Sequence, residues 1–297
     1  MSRPPAFDAL AGRRTRAANA AVIAPLRTIE DRTATFPGLR AIGSEWTRRF
    51  YDGDFHLFPP PADVPAVSLV FVQSRDGNTV AGDPGDLGGG PTDLHLIYEG
   101  LSRVAADAVL SGASTAVSKT AFFSVWHPEM VALRAALGLP RHPVQMVLSG
   151  SGAFDIDAAL LGSVPDVPAI VLTGEAARRR LEASARARPW VSIVGLGGGL
   201  RAAMRQLRDA HGIRRISAIG GRTAATALVD EALVQDVHLT TTGRSAGQPN
   251  TPFYAGAAPP PLEPVVRKHG QGSDSPLVYE QLAITGSSSR SDPTPRR

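Results

Sequence analysis

Four short segments carry the residue types most able to do chemistry. Ser74-Arg75-Asp76-Gly77 follows an apolar run over residues 66–73 and offers one carboxylate at a turn. Asp-Gly is ordinary turn chemistry, so the segment reads as a plain turn or as one that aims Asp76 into a cleft. In the second case Asp76 orients substrate or a proton-carrying water. Gly112-Ala113-Ser114-Thr115, Ser149-Gly150-Ser151-Gly152 and Gly220-Gly221-Arg222-Thr223 each follow a further apolar run. Glycine lets a backbone approach a phosphate closely, and the start of a following helix offers unpaired N–H donors. A single turn of this kind is often only a tight connection; three in one chain favour a nucleotide or dinucleotide.

Other chemistries lack their residues. Cysteine is absent, which removes disulfides, thiolate metal sites and a cysteine nucleophile, and fits a reducing compartment. The seven histidines form no H-E-x-x-H or other metal-ligand spacing, so no metal is expected. His95 and His238 lie within predicted elements and read as packing or surface residues. No G-x-x-x-x-G-K-[ST] loop occurs. Gly195-Leu196-Gly197-Gly198-Gly199-Leu200 has Leu where a dinucleotide fingerprint requires its third glycine, and it reads as a flexible start to a helix.

The elements that must hold these segments follow from apolar patterning. About 43% of the 297 residues are hydrophobic, but aromatics are scarce, so aliphatic side chains must fill the core. Strands are expected over 66–73, 106–111, 143–149, 168–173, 190–194, 214–219, 235–242 and 276–284. Helices are expected over 93–104, 128–137, 174–185, 200–211 and 223–233. This alternation predicts an α/β fold: three αβα layers around a mostly parallel mixed sheet. Segments 262–268 and 276–284 flank a Gly/Ser/Asp loop and predict an antiparallel C-terminal edge. Three regions are expected: an N-terminal extension over 1–62 with one helix near 42–51, the main domain over 63–285, and a disordered Ser/Arg/Pro-rich tail over 286–297.

Charge and hydropathy narrow the partners. The net charge of +4 owes much to arginines near the termini, among them Arg13, Arg14, Arg16, Arg290, Arg296 and Arg297. No Lys/Arg run with interleaved aromatics occurs in the body of the chain, so no nucleic-acid partner is expected. No stretch approaches the roughly 18 apolar residues of a membrane span, and no secretory h-region follows the first arginines. The expectation is a soluble, cytoplasmic protein with a small-molecule substrate.

Taken in order, the segments resemble one family. Ser74-x-Asp76-Gly77 matches its S-x-D-G after the first strand. The stretch Leu101-Ser102-Arg103-x-x-Ala106-Asp107-Ala108-Val109-Leu110-Ser111-Gly112-x-x-Thr115 is similar to its L-R-x-x-A-D-A-[VI]-L-x-G-x-x-T. Ile219-Gly220-Gly221 stands where the family has E-G-G, Leu233-Val234-Gln235-Asp236 where it has L-V-D-E, and Gly247 matches the glycine of its closing P-x-x-x-G loop. The family is the C-terminal reductase domain of the riboflavin-biosynthesis deaminase/reductase, RibD, with the fold of dihydrofolate reductase. The resemblance covers roughly residues 64–256 and is nearest to standalone pyrimidine reductases.

This resemblance implies hydride transfer from NADPH to a ribosylaminopyrimidine phosphate, as in 5-amino-6-(5-phosphoribosylamino)uracil reductase, and a homodimer. Carried over by position, Gly112, Thr115, Ser149, Gly220, Gly221, Arg222 and Thr223 hold the cofactor. Asp76 takes the catalytic place, while Ser74, Arg103 and Lys119 face substrate, with Arg103 as a phosphate or polar-group clamp. The chain departs from the pattern at three points. Ile219 replaces a substrate-contacting Glu, Lys119 replaces an Asp, and no counterpart of the D-x-P-x-L-x-x-R segment occurs in residues 119–126. Two alternatives stand beside this reading: a dihydrofolate-reductase-like reductase of another small substrate, and a non-catalytic NADP-binding protein.

Overall fold

A computed structural model describes residues 4–117 and 120–285. Twelve strands form among them: β1 (Arg27–Asp31), β2 (Arg40–Ile42), β3 (Phe55–Leu57), β4 (Ala66–Gln73), β5 (Ala108–Gly112), β6 (Val144–Ser149), β7 (Ala169–Thr173), β8 (Val191–Gly195), β9 (Arg215–Ile219), β10 (Val234–Thr242), β11 (Leu262–Gln271) and β12 (Pro276–Ile284). Ten of these make one sheet in the order β1-β11-β12-β10-β4-β9-β5-β6-β7-β8, and β2 pairs with β3 separately. From β10 to β8 every neighbouring pair is parallel, while β12, β11 and β1 add antiparallel to one edge. The fold is thus the mixed α/β sheet that the patterning predicts.

The central strands are apolar because both faces are covered. All five residues of β7 are buried, as are Val67, Leu69, Val70 and Phe71 of β4. The seven α-helices are α1 (Pro5–Ala20), α2 (Glu45–Phe50), α3 (Ala113–Ala116), α4 (Pro128–Ala136), α5 (Glu175–Ala185), α6 (Gly199–His211) and α7 (Arg222–Asp230). Helix α6 buries Ala203, Met204 and Leu207 and ends on Gly212, whose left-handed φ of 67° closes its last turn. With α7 it covers the face of Val67, Leu69 and Phe71. The opposite face carries α4, α5 and the segment Thr92–Leu101. That segment is π-wound, with Ser102 N–H donating to Ile97 C=O, a rare winding that occurs frequently at functional sites. Among the described residues no helix is long and apolar enough to cross a membrane.

The N-terminal segment carries more structure than the single helix expected near 42–51. Helix α1 packs through Phe7 and Leu10 against Phe122 and Trp126. Strand β1 extends the sheet along β11, and Leu26, Ile42, Tyr51 and Phe55 share a core with Leu96, Ile97 and Tyr279. At this seam the buried Lys268 Nζ donates to Thr28 Oγ1 at 2.7 Å and lies 4.1 Å from the Tyr51 ring. Residues 1–62 therefore build part of the sheet and its core. The tail expected over 286–297 lies outside the described residues, as does Lys119.

Candidate active site

In parallel sheets a ligand crevice opens where neighbouring strands send their connections to opposite faces. Here β9 feeds α7, which packs with Ala225 and Leu228 on one face. Strand β4 feeds the π-wound segment, whose Tyr98 packs on the other face against Val70, Val109 and Ile219. The two connections part above β9. The C-terminal ends of β4, β9, β5 and β6 therefore lie side by side along one end of the sheet, where such a crevice is expected, with the four chemistry-bearing turns of the sequence on them.

Three of those turns leave room for a ligand backbone. A Cβ placed on Gly112, Gly150 or Gly220 would meet no heavy atom within 4 Å. Gly220 and Gly221 have φ of 69° and 82°, the left-handed conformation that turns β9 directly into α7. No side chain caps α7, so its first N–H groups have no side-chain acceptor. Arg222 is held at that helix start by Nε donating to Pro252 C=O at 2.6 Å, and Thr223 beside it is exposed. Ser149 is buried at the end of β6, yet its Oγ has no hydrogen-bond partner. Thr115 is half-buried on α3. Open glycine turns, an orphan buried hydroxyl and an uncapped helix start suit an extended anionic ligand such as a dinucleotide.

The Ser74–Gly77 turn is both a closed turn and part of the rim. Ser74 is fully buried; its Oγ accepts the Asn78 N–H at 3.3 Å and its C=O accepts the Gly77 N–H at 2.9 Å. Its hydroxyl thus fixes the turn, and the substrate contact expected of Ser74 does not fit that burial. Asp76 is exposed and accepts a hydrogen bond from Ser245 Oγ. Further bonds from Arg75 N–H to Arg244 C=O (2.9 Å) and from Asn78 Nδ2 to Ala246 C=O (3.2 Å) bind this turn to the 244–251 loop. Gly247 has no room for a side chain there: its Cβ would stand 2.9 Å from Val80 O.

The substrate half differs from the expectation at Arg103. Its guanidinium lies 4.1 Å from the Tyr98 ring and 5.5 Å from the Phe123 ring, and Nη1 donates to Ser124 C=O at 3.1 Å. The residue is 1% exposed, and its Nε and Nη2 have no hydrogen-bond partner among the described residues. A planar cation stacks well between aromatic faces, and here it ties the 123–124 segment to the π-wound helix. Ile219 is fully buried among Val70, Val109, Tyr98 and Phe123, which makes this wall apolar. The sequence reading did not find Tyr98 or Phe123, because aromatic residues in a predicted helix and loop carry no spacing signal. The Gly195–Gly199 run sits at β8, on the sheet's outer edge. Gly195 lies beside the Glu175 and Arg178 side chains of α5. His95 and His238 are buried and bonded, to Glu99 at 3.0 Å and to Tyr279 at 2.8 Å. Among the described residues no group of three or more potential ligands could hold a metal ion.

Asp93, in the first turn of the π-wound segment, also escaped the sequence reading, since an acid there passes for a helix-start residue. It is buried, and burial pushes its carboxyl up to about 6, the nearby Thr240 hydroxyl offsetting this only in part. Against an unfolded value of 3.8, the folded chain holds the extra proton between those two pH values. Stability attributable to this group therefore falls as pH rises through that window. Asp93→Asn is expected to be the more stable protein at pH 7, by at most about 3 kcal/mol, and to lose that advantage near pH 4. Urea denaturation of both proteins at the two pH values measures it; an advantage that does not change with pH contradicts the assignment.

Residues 65–263 match the family model of the RibD C-terminal domain. No curated protein sequence matches the chain. Among solved structures, a pyrimidine reductase-like protein from Corynebacterium diphtheriae is similar with a TM-score of 0.60 and 22% identity, over 75% of this chain and 92% of that one. Acinetobacter baumannii RibD is similar at a TM-score of 0.57 and 17% identity, over 75% of this chain and 59% of its own length. The Thermotoga maritima diaminohydroxyphosphoribosylaminopyrimidine deaminase/5-amino-6-(5-phosphoribosylamino)uracil reductase gives 0.51 and 18%, over 74% of this chain and 57% of that one. This chain therefore spans a little over half the length of the latter two proteins.

Proposed function

The chain belongs to the RibD C-terminal domain family, and on that premise we propose that it is an NADPH-dependent reductase of a small molecule. The observation that carries the reading is the set of open turns at Gly112, Gly150 and Gly220 beside the orphan Ser149 hydroxyl. In this reading the turns at the ends of β5, β6 and β9 bind the dinucleotide, with Thr115 and Thr223 as hydroxyl donors. Arg222 meets the 2′-phosphate, because its Nε is anchored and its fork stands at the start of α7. The bound nicotinamide supplies the hydride. Asp76, exposed and steadied by Ser245, orients substrate or the water that supplies a proton.

Calorimetric titration with both cofactors tests the first step. NADPH is expected to bind tighter than NADH by about tenfold or more, the worth of one charge-assisted contact to the 2′-phosphate. Equal or absent binding of the two overturns the reading.

The substrate we favour is a small conjugated or imine-type compound, and two observations set it apart from a phosphorylated ribosylaminopyrimidine. The wall at Ile219 offers no carboxylate, and Arg103 is buried under two rings. The family pattern implies that the carboxylate contacts the substrate and the arginine its phosphate.

A further inference from the structure

At the opposite ends of the same strands, where β5 and β9 begin, a cavity of ≈ 390 Å³ opens between the sheet and the N-terminal segment. Arg40, Arg214 and Arg215 border it, and Leu57, Leu137 and Leu139 supply apolar wall. Among the described residues none of the three arginines forms an ion pair. Asp107 also borders the cavity, but its Oδ2 is committed to the backbone, accepting the N–H groups of Arg214 (2.8 Å) and Arg215 (2.9 Å). Arg215 is held on the wall by Nη1 donating to Phe58 C=O at 2.7 Å. Burial pushes its pKa down; the Asp236 and Asp107 carboxylates oppose this, and the neighbouring Arg40 charge adds to it, so Arg40 lies close enough to Arg215 for the two cations to repel.

Three guanidinium forks against one committed carboxylate leave a net double positive charge on the wall. Such forks recognise phosphate oxygens bidentately, and the cavity's size falls within the range of metabolite sites. We propose that this cavity is a second ligand site, which binds a small organic phosphate: a phosphomonoester whose apolar ring or chain lies against the three leucines. The site is separate from the cofactor crevice and combines Arg40 of the N-terminal segment with Arg214 and Arg215 of the sheet.

Calorimetry on the full chain with phenyl phosphate tests it. Arg40 and Arg214 are exposed, and neither side chain makes a hydrogen bond among the described residues. The double variant Arg40→Glu/Arg214→Glu is therefore expected to stay folded and to bind phenyl phosphate about a hundredfold more weakly than the wild type. Arg222→Glu, at the cofactor crevice, is expected to leave that affinity unchanged. If the charge reversals lower the melting temperature, Arg40→Gln/Arg214→Gln replaces them, with about a tenfold loss expected. The proposal is overturned by absent binding to the wild type, by equal binding in the double variant, by an equal loss in Arg222→Glu, or by phenol binding as tightly as phenyl phosphate. An equal loss in Arg222→Glu would instead put the phosphate at the cofactor crevice, whereas the other outcomes leave NADPH binding untouched, so the two readings fail separately.

Discussion

Gly112→Val is expected to weaken NADPH binding by about a hundredfold or more while leaving the melting temperature nearly unchanged. Gly112 has φ −75° and ψ 159°, extended backbone that a β-branched residue adopts without strain. Its Cβ would enter space with no protein atom within 4 Å, so the fold need not adjust. The loss of a glycine at the start of a short helix costs about 1 kcal/mol, which in a chain of this size moves the melting temperature by only about 2–4 °C. What the valine would strike, in the proposed reading, is the cofactor. Displacing one or two charge-assisted hydrogen bonds of about 1.5–3 kcal/mol each accounts for the expected loss. Gly221→Val is a weaker probe, because φ 82° strains any side chain and stability falls whether or not a cofactor passes nearby. Titration calorimetry and thermal melting of Gly112→Val decide the matter. Unchanged affinity would put the dinucleotide elsewhere, and a large drop in melting temperature would mean that the turn is structural.

Steady-state NADPH oxidation with the phosphorylated ribosylaminopyrimidine is expected to run about two to four decades below that of a family member with the full motif set. Two charged contacts are missing: the carboxylate that Ile219 replaces, and the arginine of the D-x-P-x-L-x-x-R segment. If each contributes about 1.5–3 kcal/mol in the transition state, their joint absence gives this range of kcat/KM. Arg103 is buried beside Tyr98 and Phe123, and its Nε and Nη2 have no hydrogen-bond partner among the described residues, so any help from it depends on a ligand reaching those two groups. Restoring the carboxylate alone is not expected to help. Ile219→Glu would place an acid in a fully buried apolar cluster, where it is protonated or destabilises the fold by several kcal/mol. Rates matching the reference enzyme would show that the pyrimidine is held by other residues and would return the chain to riboflavin chemistry.

The sequence by itself determined the parallel core and the rim of the crevice. Strands β4 and β12 and helices α4 to α7 follow hydrophobic periodicity, because each must cover or be covered by another layer. The turns at Gly112, Ser149 and Gly220 were legible for the same reason, since the chain must reverse there with little side chain. Strand β1 was not legible. Arg-Thr-Ile-Glu-Asp is an edge strand with no fully buried residue, and its pairing with β11 rests on backbone hydrogen bonds that leave no apolar pattern. Helix α1 was missed because its buried Phe7 and Leu10 are diluted by alanine and arginine. Only the tertiary structure decided which motif residues reach the crevice. Ser74 and Arg103 sit in matching motifs, yet packing turns the first into the lock of a turn and the second into a cation stacked between rings. The raised carboxyl of Asp93 and the arginine-lined cavity at Arg40, Arg214 and Arg215 likewise belong to no motif. Burial and charge crowding are properties of distances between distant parts of the chain, and these exist only once the layers have closed.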